Sequence, residues 1–366
     1  MAELYGREYS RAELERFTGR LDQVAGIVPL ELAEGFSRGV RALAVTTGSG
    51  FAFTAIADRA LDVSSATFEG IPLCWRSCNA IAAPAYYDPQ GAAWLRTFFG
   101  GLFTTCGLTN SGPAGSDRYG TFGLHGRINA VPAEAVSYET RWQGSDCVFD
   151  VRGTMRETTV FGEELQMERL LRTRLGSNRL ELHDLVTNVG SKRTPHMILY
   201  HCNGGFPILD EAGRLYVSQR GVSPRDAEAA KGLAEWDRGG LPDATFAEQV
   251  FVHEPIACAD GRAAVVLDNP ALRDGRGLAL AIRFDLSQLP AFFSWRMLGA
   301  GTYVMGMEPG NCPTVDGRVE AEKRGTLSFL EPGESRQYDL EFEVVDRVPT
   351  REALLSSVAV AGGPGS

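Results

Sequence analysis

Hydrophobic and polar residues alternate along much of the chain, which is the pattern of β-strands that bury one face. The alternating segments are 51–56, 147–155, 165–175, 179–186, 278–284 and 338–344. Many short strands, together with 42 glycines and 18 prolines in 366 residues, are typical of sandwiches and barrels. The pattern therefore predicts an all-β sandwich or barrel.

The beginning of the chain has a different pattern. Residues 7–24 place Leu and Phe among charged residues at helical spacing. Ser10 is followed three positions later by Glu13, which is the arrangement of a capping box. We therefore predict a short N-terminal helix.

The composition shows no break that would divide the chain into several large units. We predict one β-sandwich domain over residues 26–348, because large sandwiches often exceed the usual domain length. The predicted N-terminal helix lies in an extension over residues 1–25, and residues 349–366 form a C-terminal tail.

Two local signals add detail to this domain. Residues 80–120 are rich in Gly, Pro and aromatic residues, so we expect a long loop across one face of the sandwich, where long loops are often functional. The sequence Glu-Pro-Gly-Glu at 331–334 is a turn signal between two strand-like runs. It predicts a β-hairpin over residues 325–344.

The charge of the chain limits its partners. The 46 acidic and 36 basic residues give a net charge of −10, whereas a nucleic acid requires a basic surface, and nothing indicates an anionic membrane as a partner. The charged N-terminus lacks the hydrophobic segment of a signal peptide, and no stretch approaches the roughly 18 apolar residues of a membrane span. We expect a cytoplasmic protein.

The seven cysteines are scattered and form no CxxC pair. Cys74 and Cys78 lie close in sequence, but no second pair completes a zinc site. We expect reduced thiols, as in most cytosolic proteins.

Three residues are candidates for acid–base chemistry. His125 lies between glycines in Gly-Leu-His-Gly-Arg, which lets the backbone approach a ligand closely. His201 ends an apolar strand before a polar, Gly-rich turn. Glu308 also ends an apolar strand, where partial burial raises the pKa of a carboxyl group toward that of a useful base.

Each of these residues also has a structural interpretation. A histidine at a strand end is often a hydrogen-bonded structural residue, and a Glu before Pro-Gly is often a turn residue. Arg59 and Asp62, in Asp-Arg-Ala-Leu-Asp, offer a donor fork for hydroxyl groups, or form a surface ion pair. The spacing indicates only a His/Glu acid–base site, and the same residue types also ligate catalytic zinc. We assign structural roles to the other three histidines, His183, His196 and His253.

Longer motifs resemble those of the galactose mutarotase-like (aldose 1-epimerase) superfamily, and within it a bacterial branch known as domain of unknown function 4432. The resemblance extends from about residue 26 to residue 344. The motifs are DRALD at 58–62, GLFTTCG at 101–107, GLHGR at 123–127, YHCNGGFP at 200–207 and MEPGNCPTVDGR at 307–318.

The resemblance implies a large antiparallel β-sandwich of the galactose mutarotase type and a small sugar or sugar derivative as partner. It implies that Glu308 is a catalytic base, that His201 is a catalytic acid, and that His125 and Arg59 bind the substrate. No cofactor and no metal are implied, and a homodimer is left open. Further candidates for sugar contacts are Asp62, Arg127, Asn203, Asp210 and Trp295.

The chain departs from the superfamily pattern after His201. Cys-Asn-Gly-Gly at 202–205 replaces a longer aromatic stretch, which changes one wall of the expected pocket. Three functions are compatible with the sequence. They are an enzyme that interconverts anomers or epimers of a free sugar, an isomerase or lyase for a modified or oxidised sugar with or without a metal, and a non-catalytic carbohydrate-binding protein.

Overall fold

The alternating pattern corresponds to strands throughout the computed structural model, which describes residues 2–362. The strands are β1 (Ala2–Leu4), β2 (Arg7–Tyr9), β3 (Gly26–Glu31), β4 (Arg41–Thr46), β5 (Phe51–Ile56), β6 (Asp62–Phe68), β7 (Ile71–Pro72), β8 (Phe103–Leu108), β9 (Gly115–Asp117), β10 (Gly120–Phe122), β11 (Glu134–Gln143), β12 (Asp146–Thr158), β13 (Glu164–Arg174), β14 (Arg179–Asn188), β15 (Thr194–Gly205), β16 (Arg214–Val217), β17 (Gln219–Pro224), β18 (Gln249–Pro255), β19 (Ala263–Asn269), β20 (Leu278–Phe284), β21 (Ala291–Gly299), β22 (Thr302–Gly310), β23 (Ser328–Leu330) and β24 (Ser335–Val345).

Helices connect or flank these strands. The α-helices are α1 (Arg11–Phe17), α2 (Ala227–Lys231), α3 (Gly317–Lys323) and α4 (Val348–Gly362). Short 3-10 turns lie at Leu21–Gln23, Gly35–Ser37, Pro84–Tyr86, Ala93–Arg96, Ile128–Ala130 and Leu233–Glu235.

Two large antiparallel sheets form the sandwich. The smaller sheet has the strand order β11-β12-β13-β14-β24-β20-β19-β16. The larger has the order β17-β18-β21-β22-β15-β8-β6-β5-β4-β3, with β7 paired to β6 and β23 paired to β15. This architecture confirms the predicted all-β antiparallel sandwich.

The core lies between the two sheets and follows from the alternation. On β13, Leu165, Met167 and Leu171 are buried in the core, whereas Gln166, Glu168, Leu170 and Arg172, which alternate with the buried positions, are partly or fully exposed. Phe103 of the larger sheet stacks on Phe342 of the smaller sheet, with 5.5 Å between ring centroids. Hydrophobic burial between the sheets is thus the main force that joins them.

A buried ionic network also joins the sheets. Arg169 of β13 donates to Asp184 of β14 through two nitrogens, at 2.8 and 2.6 Å, and to Asp62 of β6 at 2.7 Å. Thr105 of β8 donates its backbone N–H and its hydroxyl to Asp62, and Tyr200 of β15 donates its hydroxyl to Asp184 at 2.7 Å. The side chains of Arg169 and both aspartates are completely buried.

The strand and helix predictions are largely confirmed. The predicted strands at 51–56 and 278–284 coincide with β5 and β20. The N-terminal helix is the short α1, and Ser10 and Glu13 form the predicted capping box. Leu14 of this helix packs with Leu4 against Phe149 of β12, which fixes the N-terminal segment to the sandwich.

The predicted hairpin at 325–344 is wrong. The turn is present, because the N–H of Glu334 donates to the carbonyl of Glu331 at 2.9 Å. The strands on its two sides nevertheless join different sheets: β23 pairs with β15, and β24 lies between β14 and β20. The turn is a corner between the layers, and its local sequence does not distinguish a corner from a hairpin.

The expectation of a loop over 80–120 holds only in part. Residues 103–108 form β8, in which every residue is buried between β15 and β6. A strand that is covered on both faces shows no alternation, so the pattern missed it. The predicted tail over 349–366 also contains structure, because α4 packs Leu354 and Val358 on the smaller sheet.

The ionic network gives a test of the fold. We expect Arg169→Met to lower the free energy of unfolding by about 3–5 kcal/mol, because two buried carboxylates lose their partner. Arg172→Met is the matched control: Arg172 also makes a bidentate pair, with Asp150, but is partly exposed and shares that carboxylate with two other arginines. It should cost about 0–1 kcal/mol in urea unfolding monitored by circular dichroism. Equal losses in the two variants would contradict the structural role of the network.

Candidate functional site

Strand register brings the two acid–base candidates together. In the pairing of β15 with β22, Cys202 is opposite Met307, so His201 is opposite Glu308. Tyr200, Cys202 and Met307 belong to the core, and alternation turns His201 and Glu308 to the outer face of the larger sheet. Nε2 of His201 and Oε1 of Glu308 are 3.3 Å apart.

The pair lies at the bottom of a cleft of about 780 Å³. The strands β15, β21 and β22 form its floor, and the segment between β7 and β9 covers part of it. Its aromatic lining consists of Trp75, Trp94, Phe98, Phe246 and Trp295, and its polar lining includes Ser77, Asn79, His125, His201, Arg225, Glu248, Thr302 and Glu308.

Aromatic rings surround His201. The ring centroids of Phe98 and Trp295 lie 5.1 and 5.3 Å from that of His201, and Trp94 lies 6.5 Å away. Burial among these rings lowers the pKa of His201 to about 4, although the Asn203 side chain acts in the opposite direction. His201 is therefore neutral at neutral pH, and no protein partner accepts from or donates to its Nδ1 among the described residues.

Glu308 is displaced in the opposite direction. Burial raises the pKa of its carboxyl group to about 8, the negative charge of Glu248 contributes to the increase, and Arg225 opposes it. The carboxyl group lies over Gly306, where an added Cβ would be 2.5 Å from Oε1 of Glu308. Only glycine at this position leaves space for the carboxyl group.

His125 is held with a defined tautomer. Its Nδ1 accepts a hydrogen bond from the backbone N–H of Gly112 at 3.2 Å, so the neutral ring carries its proton on Nε2. Burial, with a smaller contribution from His201, lowers the pKa of His125 to about 3. The residue has a φ of 56°, and Gly126 beside it approaches the Gly107 carbonyl so closely that a Cβ would be 2.3 Å from that oxygen. This close packing accounts for the Gly-Leu-His-Gly-Arg motif.

Of two more predicted site residues, Trp295 lies in the cleft and Asn203 lies beside it. Trp295 lines the cleft, and its Nε1 donates to Oε2 of Glu248 at 3.0 Å. Asn203 does not line the cleft; it is buried on the same face of β15 as His201, and its amide donates to the carbonyls of His201 at 2.7 Å and Gly101 at 3.1 Å. Asn203 thus ties the end of β15 to the chain before β8.

Arg59 lies outside the cleft. Its guanidinium group is buried and donates to the backbone carbonyls of Ala82 at 3.0 Å, Thr97 at 3.1 Å and Asn129. The side chain of Asn129 in turn accepts from Nε1 of Trp94 at 3.1 Å. The N–H groups that we expected to bind sugar hydroxyls donate to three backbone carbonyls instead. Arg59 therefore does not line the site but anchors the segment between β7 and β9, here called the cover, which lies over part of the cleft.

The structure does not bring three other candidates to the cleft. Asp62 lies between the sheets in the ionic network. Arg127 donates to the carbonyl of Thr158 and to Glu163, both at 2.8 Å. Asp210 accepts from the N–H of Ala212 at 2.8 Å in a turn.

The remaining histidines also lie away from the cleft. His196 contacts the Leu108 carbonyl and the Tyr338 hydroxyl in the interior, at 2.9 and 2.7 Å. His253 bonds Ser294, and His183 pairs with Asp339 on the smaller sheet.

Sequence reasoning missed several cleft residues. Trp75, Arg225 and Glu248 come from three distant segments that only the fold brings together. None stands in a recognisable motif, so a single sequence holds no signal for them. The aromatic residues of the 80–120 segment were a partial signal, because Trp94 and Phe98 lie in the cleft.

Some features are absent from the described part of the chain. Across residues 2–362, no three or more His, Cys, Asp or Glu side chains lie close enough together to hold a metal ion. Within the same range, no helix has the length and apolar composition needed to cross a bilayer. All seven cysteines are free thiols.

The chain has the galactose mutarotase-like fold. It belongs to the family described as Domain of unknown function (DUF4432), whose model matches residues 37–344. A structure from Klebsiella pneumoniae, described provisionally as an aldose 1-epimerase, is similar to it with 25% sequence identity and a TM-score of 0.86, over 98% of this chain and 95% of that one.

Two more distant structures share the fold alone. A galactose mutarotase-like protein from Clostridium acetobutylicum has 14% identity and a TM-score of 0.57, over 88% of this chain and 99% of that one. A galactose 1-epimerase from Lactobacillus acidophilus has 13% identity and a TM-score of 0.54, also over 88% and 99%. No protein of curated function matches the chain.

The anchoring role of Arg59 can be tested by hydrogen exchange. We expect Arg59→Met to speed amide exchange about 10- to 100-fold in the segments near Ala82, Thr97 and Asn129, because three buried carbonyls lose a charged donor. Arg127→Met is the matched control, since Arg127 also donates to a backbone carbonyl, that of Thr158, but is partly exposed, and it should leave the Thr97 segment unchanged. Exchange that rises equally throughout the sandwich would contradict a local anchor.

Proposed function

We propose that the protein is a sugar isomerase of the aldose 1-epimerase type, which interconverts the anomers of a free sugar in the cleft. The observation that carries the proposal is the buried pair of His201 and Glu308, two ionisable groups 3.3 Å apart with pKa values displaced in opposite directions. Such a pair is what acid–base catalysis at a single bond requires. The similarity to the Klebsiella pneumoniae protein supports the same reaction class.

The reaction moves two protons and needs no other reagent. One group removes the proton from the anomeric hydroxyl while the other protonates the ring oxygen, so the C1–O5 bond breaks and an aldehyde forms. The aldehyde rotates about C1–C2. The ring then closes on its other face, and the two protons return by the reverse path.

His201 and Glu308 share one proton in this mechanism. The resemblance assigns Glu308 as base and His201 as acid, which requires the proton on His201. Burial favours the alternative, with neutral His201 and protonated Glu308. The two forms have the same net charge, so ring opening that starts from either form passes the protons through the sugar and leaves the pair in the opposite form. Ring closure restores the first form.

Other cleft residues fit the same reaction. The Nε2–H of His125 is a neutral donor, and the ring centroids of His125 and His201 are 5.8 Å apart. It would hold a sugar oxygen beside the reacting bond. Trp94, Phe98 and Trp295 would contact the C–H faces of the ring and exclude water, which strengthens the hydrogen bonds of the reacting groups.

Removal of the shared proton tests the proposal. We expect Glu308→Gln to lower the rate of anomer interconversion about 10²–10⁴-fold while sugar binding persists, because the amide keeps the shape but transfers no proton. Freshly dissolved single anomers of a broad sugar panel would be followed by proton NMR. Val160→Ser, at an exposed turn far from the cleft, should retain the wild-type rate.

The other outcomes of this experiment are informative. New products instead of anomers would indicate an isomerase or lyase. Saturable binding without turnover of any sugar would indicate a carbohydrate-binding protein. Either result would replace the proposal.

The displaced pKa values predict a wide pH optimum. The pair loses its one proton as the pH rises through about 8, the pKa of Glu308. It takes up a second proton, on His201, as the pH falls through about 4, the pKa of that histidine. We therefore expect kcat/KM to be bell-shaped, with a plateau between these limbs. The measurement is the enzyme-dependent rate after subtraction of the buffer-catalysed rate. A limb near pH 6.5, the value of an ordinary histidine, would contradict the buried pair.

A further inference from the structure

The cleft is longer than the reaction on one sugar ring requires. Glu308 and Thr302 both line it and both belong to β22. The two residues are six positions apart on the strand, so at about 3.3 Å per residue the cleft follows β22 for about 20 Å. A single ring bound at the His201–Glu308 pair leaves the part near Thr302 unfilled.

We name the two parts by their residues. The inner half consists of the proton-transfer pair, His125, Trp94 and Phe98. The outer half consists of Trp75, Met297, Thr302, Arg225 and Glu248, and Trp295 lies between the halves. No residue of the outer half donates or accepts a proton in the proposed reaction, and Glu248 and Arg225 act on the pair only by shifting the pKa of Glu308.

The outer half combines aromatic surfaces with charged groups. The indole rings of Trp75 and Trp295 meet edge to face, with centroids 6.1 Å apart. Glu248 accepts from Trp295 at 3.0 Å, and its other carboxylate oxygen is 3.6 Å from the guanidinium group of Arg225. The charged groups therefore stand at the border of the aromatic surfaces.

This combination matches the chemistry of a sugar ring. A sugar presents C–H faces that pack on aromatic rings and hydroxyl edges that bond charged and amide groups. A purely apolar substituent would cover Arg225 and Glu248 without replacing the hydrogen bonds they make with water, which is unfavourable. An anionic group finds no unpaired cation, because Arg225 already pairs with Asp226 and Glu248.

We infer that the outer half binds a second sugar ring, so that the preferred substrate is a reducing disaccharide, or a longer oligosaccharide, with its free anomeric carbon in the inner half. The inference rests on the proposed anomer interconversion for its reaction. It adds a substrate class that the proton-transfer pair does not determine.

Reducing disaccharides test the inference directly. The probes are α-lactose, β-maltose and β-cellobiose, each compared with α-D-glucose as the matching reducing-end ring, by proton NMR from freshly dissolved single anomers. We expect at least one disaccharide to have a kcat/KM about tenfold or more above that of glucose. 6-O-Benzyl-D-glucose, which carries an apolar ring instead of a sugar, should not share this advantage.

Variants of the outer half test its role. We expect Trp75→Leu, which removes an aromatic surface, and Thr302→Trp, which fills the far end, each to reduce the ratio of disaccharide to glucose kcat/KM to about one. Val160→Ser, outside the cleft, should keep the wild-type ratio. Because the readout is a ratio measured on one preparation, partial unfolding of a variant cancels.

The outcomes separate this inference from the proposed function. If glucose is converted as efficiently as every disaccharide, or if the benzyl ether equals the best disaccharide, the second-ring inference is wrong and the proposed function stands. If no sugar is converted, the proposed function is wrong, and titration calorimetry with the same sugars then decides the inference. Tighter binding of a disaccharide than of glucose would support the outer half, and equal or absent binding would overturn it.

Discussion

The buried guanidinium group of Arg169 is the interaction on which the arrangement of the sandwich depends. It connects β13 and β14 of the smaller sheet to β6 of the larger one through Asp184 and Asp62. All five of its N–H groups have acceptors, because it also bonds the Ala60 carbonyl and the Thr105 hydroxyl. A buried charged group is tolerated only when all of its hydrogen bonds are made. The network therefore restricts how the two sheets can be placed relative to each other.

The ionic network also restrains the cleft, through strand β15. Tyr200 donates to Asp184 from the inner face of β15, and His201, the next residue, points to the outer face. The network therefore fixes the strand that carries His201, while Asn203 ties the end of this strand to the Gly101 carbonyl. The positions of the reacting groups are set by the interior of the sandwich, and their protonation is set by the aromatic cover.

The sequence predicts the elements of the fold better than their connections. Alternation identified β5 and β20 with their bounds, and the capping box identified α1. It failed for β8, which is buried on both faces, and for the turn at 331–334, which joins two sheets instead of one hairpin. Both failures involve long-range pairing, and no local pattern contains that information.

The candidate site was likewise predicted only in part from the sequence. His125, His201 and Glu308 were predicted from their motifs and Trp295 as an aromatic candidate, and the fold brings all four to one cleft. Arg59 belongs to an equally distinct motif, yet its guanidinium group donates hydrogen bonds to backbone carbonyls of the cover. An arginine motif alone does not distinguish a donor for a ligand from a donor for the backbone, because both uses require the same planar fork.

The role of Arg59 links the cover to selectivity. By bonding Ala82, Thr97 and Asn129 it holds the segment that carries Trp94, and the Trp94 ring stacks on Phe98 with 4.4 Å between centroids. These rings remove water from the reacting pair, so the same anchor controls both the pKa displacements and the shape of the inner half. The outer half lies beyond Trp94 and Phe98, with Met297 and Thr302 on β21 and β22 and with Trp75, Arg225 and Glu248 supplied by other segments. Substrate choice can therefore change through Met297 and Thr302 without altering the charges near the proton-transfer pair, whereas a change at Arg225 or Glu248 also shifts the pKa of Glu308.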